Sequence, residues 1–352
     1  MTNKMHEDAW KKDREILYDL YQSRLLMVDQ LARRHGYTKG SMYHKLSRLR
    51  HRGFVATQNI KGFSSQGGLQ GKCYKITNAG IGYLKKYGYE LSMKAESIKV
   101  SDMRAPTLII TNDLFEQFSN KGWEVLDSRE LKEQYNLNRS LNLHGMLSSP
   151  CDSNQGISSQ DIEQRNYPFY MLLEGTSDAF IKRIRGEVGR LQQFSDLIFF
   201  TKNVDVFQRT FSEMLMNADV FTYRSFRILP YGYGMRYLIY YDNFQVLFHY
   251  LEDRFEIYEV LKSDSEYYQN YFETVVEYGG DEYYLINMLD YNLTNLYHIR
   301  NYTNERYKED GRKVLLLSDS KRNVNYQKIL EGIGHVEYLY VDVEDLMNYP
   351  VY

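Results

Sequence analysis

The most informative absence in this chain is that of carboxylates: the sixty residues from Gln30 to Tyr89 contain no Asp or Glu. The same stretch contains twelve Lys or Arg, although the whole chain is nearly balanced, with 44 basic and 46 acidic residues. Through residue 90 the chain has 17 basic and 7 acidic residues, or +10, so the remainder carries −12. Because each Lys or Arg that meets a phosphate releases condensed counterions, such a segment suits a polyanion.

Other scarce features exclude whole classes of protein. No apolar run approaches the roughly 18 residues of a membrane helix, so we expect no membrane partner. The polar, charged N-terminus argues against a secretory signal and favours a cytoplasmic protein. The two cysteines, Cys73 and Cys151, make no zinc spacing and are expected to be structural thiols in a reducing cytosol. Proline is rare, with five residues, whereas tyrosine is abundant, with 34.

Hydrophobic periodicity in the first ninety residues predicts three helices, a hairpin and a fourth helix. We expect the helices near residues 8–23, 25–36, 38–53 and 78–86, and the strands at 54–61 and 72–77. A loop rich in Gly and Ser separates the two strands. Thr38 is a plausible N-cap for the third helix, which should end at Gly53. This order is that of the winged helix-turn-helix, and we assign residues 1–90 to such a domain.

The rest of the chain predicts an α/β protein. Residues 91–165 read as a connecting region with partial secondary structure, including a strand at 108–111. Residues 166–352 read as an acidic, Tyr-rich α/β domain with a mixed, largely parallel sheet, because strands alternate with helices. The expected strands are at 169–173, 197–201, 237–241, 245–251, 283–289, 313–317 and 336–341. No internal repeat is visible in the sequence.

The third predicted helix carries polar and basic side chains opposite its apolar stripe of Met42, Leu46 and Leu49. Arg and Lys can read guanine, and Ser or His can reach bases or phosphates, as a recognition helix requires. A solvated basic helix would show the same charges, but the element order, the Gly-rich loop and the missing carboxylates together favour DNA. The predicted DNA-binding residues are Lys39, Ser41, His44, Lys45, Arg48, Arg52, and, in the wing, Lys61 and Lys72.

The segment from Leu17 to Thr77 also resembles a known family. The resemblance is carried by Leu-Tyr at 17–18, Arg-Leu-Leu at 24–26, Gln-Leu-Ala at 30–32, Leu-Ser-Arg-Leu at 46–49, Arg-Gly-Phe-Val at 52–55 and Tyr-Lys-Ile-Thr at 74–77. These are similar to the replication-relaxation proteins of plasmids and other mobile elements, which overlap with MobC-type mobilisation relaxases. The resemblance implies a protein that acts on double-stranded DNA at an origin of replication or transfer. Half-site recognition then favours a homodimer, with replication or transfer proteins as further partners.

The resemblance also implies an enzymatic alternative. MobC-type relaxases look like restriction nucleases in their core, with an Asp followed by Glu-x-Lys on the next strand, where carboxylates hold Mg²⁺ or Mn²⁺. The candidates here are Asp242, Glu259, Lys262 and Asp290, but no clean Glu-x-Lys exists because Glu259 and Lys262 are three apart. We therefore assign no catalytic residue, metal or cofactor, and expect a binding protein in which the α/β domain serves dimerisation or recruitment. A ligand-sensing transcription regulator is a further alternative.

Overall fold

The chain folds into two compact units, Met1–Gln117 and Phe118–Tyr352. The computed structural model describes residues 2–60, 71–150, 164–241, 244–260, 271–320 and 323–350. Its helices and mixed sheets confirm the predicted α/β class. The division at residue 117 leaves 20 basic and 11 acidic residues in the first unit, or +9, and therefore −11 in the second.

The first unit contains the predicted helices and hairpin strands, but Leu26 and Met27, which were expected in the second helix, form a short strand. Its elements are α1 (Thr2–Ser23), β1 (Leu26–Met27), α2 (Val28–Arg34), α3 (Lys39–His51), β2 (Val55–Ile60), β3 (Gly71–Ile76), α4 (Asn78–Lys86) and α5 (Ala105–Ser119). Thr38 caps α3, because its side chain accepts a hydrogen bond from the Ser41 amide. Gly53, at φ +76°, allows the chain to turn after that helix.

The core of the first unit lies between α1, α3 and α4. Leu17 and Leu20 of α1 pack in one cluster with the predicted stripe Met42, Leu46 and Leu49 of α3. A three-stranded antiparallel sheet of order β1-β3-β2 lies beside them. The strand predicted at 108–111 is wrong: these residues belong to α5. A short apolar run cannot by itself distinguish a strand from a buried helix.

The described part of the second unit contains ten strands. They are β4 (Glu124–Asp127), β5 (Gly145–Ser148), β6 (Asn166–Leu172), β7 (Asp196–Thr201), β8 (Ser225–Pro230), β9 (Tyr258–Glu259), β10 (Val275–Tyr278), β11 (Asp281–Asn287), β12 (Lys313–Asp319) and β13 (Val336–Val341). The helices are α6 (Ser128–Gln134), α7 (Asp178–Val188), α8 (Val204–Leu215), α9 (Tyr231–Tyr241), α10 (Phe244–Phe255), α11 (Leu293–Asn301), α12 (Asn304–Asp310), α13 (Tyr326–Ile329) and α14 (Val343–Asn348). Within the described residues no helix of the chain is long and apolar enough to cross a membrane.

In its described residues the second unit has two mixed sheets, where the sequence predicted one mixed, largely parallel sheet. One sheet has the order β4-β5-β6-β7-β8 and the other the order β9-β10-β11-β12-β13. In each sheet, each of the first three strands pairs antiparallel with the next of the three. The fourth strand then pairs parallel with the third, and the fifth parallel with the fourth. Helices connect the parallel strands of both sheets, as parallel pairing demands. The unit is therefore a topological duplication that the sequence does not show.

Two further predicted strands are helices in the structure. Residues 237–241 belong to α9 and residues 245–251 to α10. Both segments are rich in Tyr, Ile, Val and Phe, which favour strands by propensity. Tyr237 and Tyr241, spaced i and i+4, nevertheless bury the same face of α9 in the core. Tertiary packing of that face outweighs the local preference.

Candidate nucleic-acid interface

The outward side of α3 carries a row of polar side chains. At 100° per residue, the side opposite Met42, Leu46 and Leu49 is centred on His44, Ser47 and His51. Tyr43 and Arg50 lie on one flank of this row, and Tyr43 is 44% exposed. We call His44, Ser47, His51, Tyr43 and Arg50 the outward face of α3. It contains aromatic, hydroxyl, imidazole and guanidinium groups and no carboxylate.

The opposite flank of α3 is fixed to α1 by a buried carboxylate. Asp13, 1% exposed, accepts hydrogen bonds from Lys45 Nζ at 3.1 Å and from Arg48 Nη2 at 2.7 and 2.8 Å. Lys45 is half-buried, whereas Arg48 is exposed. Both were predicted to contact DNA, yet their charges are partly compensated within the protein. In the structure both side chains join α3 to α1.

The other predicted residues lie at the surface around α3. Lys39 Nζ is 2.9 Å from Asp29, whose hydrogen bond and charge raise the pKa of that lysine. Arg52 places its guanidinium over the ring of Trp10, 4.2 Å from the centroid. Ser41 is exposed in the first turn, and Lys72 is exposed at the start of β3. Lys61 lies outside the described residues.

Four residues of the outward face were not among the predicted contacts: Tyr43, Ser47, Arg50 and His51. Arg50 lies near Tyr74 of β3. The pKa of this tyrosine is raised, chiefly by burial, and the positive charge of Arg50 offsets part of the rise. No carboxylate of the described residues pairs with Arg50. The sequence could have identified three of these residues through their spacing. Tyr43 and Arg50 are seven residues apart, as are His44 and His51, so each pair lies on one side of the helix.

Carboxylates outside the sixty-residue stretch form ion pairs with several of its cations. Arg33 pairs with Asp113 and Glu116 of α5, and Arg34 Nε is 3.3 Å from Glu116. Asp13 and Asp29 do the same for α3. The number of Lys and Arg residues in the stretch therefore overstates the positive charge that is left without an ion pair at the surface.

The structure separates the nuclease candidates that it describes. Val276 of β10 pairs with Glu259 of β9 on one side and with Tyr283 of β11 on the other. Glu259 is thus level with the start of β11, whereas Asp290 follows the far end of that strand. Asp242 and Lys262 lie outside the described residues. In the described part of the chain, no group of three or more His, Cys, Asp or Glu could hold a metal ion.

Asp290 belongs to a buried polar network at the carboxyl ends of β11 and β12. Its Oδ2 is 2.9 Å from Arg227 Nε of β8, and both side chains are buried. Asp319, at the end of β12, accepts hydrogen bonds from Asn323 at 2.6 Å and from the Tyr291 hydroxyl at 3.3 Å. Burial raises the pKa of Tyr291, so this hydroxyl keeps its proton and donates. These contacts link β8 to the second sheet and give each carboxylate a structural partner.

Comparison with known proteins gives no match: no family model matches this chain, nor does a curated protein or a solved structure.

Proposed function

We propose that the first unit is a winged-helix module that binds double-stranded DNA, with α3 as the recognition helix and the β2–β3 hairpin as the wing. The observation that carries the proposal is the outward face of α3. It presents five hydrogen-bonding side chains without a carboxylate, on a helix whose opposite stripe is buried. These are the two requirements of a helix that enters the major groove.

Each part of α3 then has a separate task. Arg50 can donate two hydrogen bonds to a guanine edge, while Tyr43, His44 and Ser47 reach bases or phosphates. Lys72 at the start of β3 brings positive charge to the wing. Asp13, bound to Lys45 and Arg48, fixes the rotation of α3 about its axis and therefore the direction in which the outward face points.

We also propose that the protein acts at an origin of replication or transfer of a plasmid or other mobile element, as a cytoplasmic homodimer. The resemblance of residues 17–77 to the replication-relaxation proteins supports this setting. The charge division of +9 and −11 supports a division of labour, since the acidic unit repels phosphates and leaves protein contacts available. Dimerisation or recruitment of replication or transfer proteins would then belong to that unit.

Substitution of two outward cations tests the DNA-binding proposal. Duplexes are first selected from a random pool by the wild-type protein, and affinity is then measured over a range of salt concentrations. We expect Arg50→Ala with Lys72→Ala to weaken binding at least about tenfold, because a guanine contact and a phosphate contact are lost. The slope of log K against log salt should fall by about 1, because only Lys72 neutralises a phosphate.

The matched control removes two exposed cations from the acidic unit, Lys182→Ala with Arg183→Ala on α7. This variant should keep the wild-type affinity and slope. If the two double variants behave alike, α3 and the wing are not the DNA-binding surface and the proposal fails.

A further inference from the structure

A second surface of the first unit combines aromatic rings with cations. We call it the aromatic surface, and it consists of Trp10, Arg14, Arg52, Tyr83 and Tyr87. The guanidinium of Arg52 lies 4.2 Å from the ring centroid of Trp10, and that of Arg14 lies 4.5 Å from that of Tyr87. Tyr83 is 6.0 Å from Trp10 and 5.0 Å from Tyr87, measured between ring centroids. The five side chains therefore form one continuous cluster.

The aromatic surface packs on the core side against Phe54 and the turn after α3. Tyr83 stacks on Phe54 with a centroid distance of 4.7 Å and an interplanar angle of 23°. A Cβ on Gly80 would lie 2.5 Å from the Phe54 carbonyl oxygen, so the absence of a side chain lets α4 approach the turn after α3. The rings are thus held by three elements, α1, α4 and the end of α3.

Packing alone does not explain why Tyr87 is exposed. Arginine–ring contacts can tie α1 to α3 and α4, but the Tyr87 ring is 51% exposed and adds little to the core. Lys11, Lys85 and Lys86 are exposed on the same two helices, and α4 contains no carboxylate. Exposed rings among cations suit a nucleic acid with unpaired bases, because the bases can stack on the rings and the phosphates can contact the cations.

We propose that the aromatic surface binds single-stranded DNA. Unpaired bases would stack on the open face of Tyr87 and on the guanidinium planes of Arg14 and Arg52, while the lysines neutralise phosphates. Base pairs of a duplex already stack on each other and cannot offer these faces. The surface is separate from the outward face of α3, so this inference does not rest on duplex recognition by that helix.

The probe is a fluorescently labelled 15-nucleotide oligo-dT, titrated with the full chain at low salt. We expect Tyr87→Ala to weaken oligo-dT binding about tenfold, since one stacked base is lost, and to leave duplex binding unchanged. Tyr87→Phe should bind as the wild type because it keeps the ring. Tyr297→Ala, which removes a tyrosine of the second unit that is 40% exposed, is the control and should also bind as the wild type.

A spectroscopic readout tests the surface directly. In a Trp123→Phe background Trp10 is the remaining tryptophan, and oligo-dT should quench its fluorescence. The proposal is overturned if oligo-dT does not bind, if Tyr87→Ala binds it as the wild type, or if Tyr87→Ala weakens oligo-dT and duplex binding equally. The variant Arg50→Ala distinguishes the two proposals. It should bind duplex DNA more weakly and bind oligo-dT as the wild type does. If it binds duplex DNA as the wild type does, the α3 proposal fails and the proposal for the aromatic surface is unaffected.

Discussion

At the scale of single residues, carboxylates that lie outside the carboxylate-free stretch compensate part of the positive charge of the first unit. Asp13 is the clearest example, because this one buried carboxylate forms ion pairs with two cations of α3, Lys45 and Arg48. A charge count along the sequence cannot find this contact, since Asp13 is more than thirty residues from Lys45 and Arg48. Position on the helix, not charge alone, separates the cations that pair with Asp13 from Arg50 on the outward face.

Replacement of Asp13 should destabilise the first unit. Asp13→Asn removes the charge that Lys45 and Arg48 surround, and we expect a loss of roughly 2–3 kcal/mol, below the full cost of breaking a buried pair because Arg48 is exposed. Urea unfolding followed by Trp10 fluorescence in the Trp123→Phe background measures it. Asp29→Asn, which removes the exposed partner of Lys39, should leave the midpoint unchanged. An equal midpoint for both variants would show that Asp13 does not hold α3.

At the scale of helices and strands, the sequence was most informative where burial and periodicity agree. The stripe of α3 and the strands β6, β7, β11, β12 and β13 were predicted because their apolar patterns match their burial. The helices α9 and α10 were missed because tyrosine suits both a strand and the buried face of a helix. The duplication of the two sheets was invisible because strand order repeats while the residues do not.

The position of α4 depends on Gly80. Gly80→Ala would place a methyl group 2.5 Å from the Phe54 carbonyl oxygen, and backbone cannot give way as a side chain can. We expect a loss of about 1–3 kcal/mol, the usual cost of overpacking, and weaker oligo-dT binding because Tyr83 and Tyr87 move with α4. Gly82→Ala in the same helix meets nothing within 4 Å and should be neutral or stabilising. The same urea titration compares the two, and a stable Gly80→Ala would contradict the close approach.

At the scale of the whole molecule, the two units differ in charge and can be followed separately, because each contains one tryptophan, Trp10 or Trp123. The second unit also contains a half-buried histidine, His298, and a buried one, His335, and burial lowers the pKa of both. The His335 ring is 1% exposed and places Nε2 2.7 Å from the Tyr302 carbonyl oxygen. Burial disfavours the charged imidazolium and lowers the pKa of His335, while the hydrogen bond to Tyr302 opposes this effect without cancelling it.

Acid should therefore destabilise the second unit. In the unfolded chain a histidine takes up a proton near pH 6.5, whereas the folded pKa of His335 is lower. The unfolded state then binds more protons, so the stability is full above about pH 6.5 and falls as the pH decreases toward the folded pKa. Urea midpoints from Trp123 fluorescence in a Trp10→Phe background, compared at pH 7.5 and 5.5, measure the loss. His335→Gln should reduce this pH dependence, and His249→Gln, at an exposed position, should retain it; a His335→Gln variant with the full wild-type dependence would exclude His335 as its source.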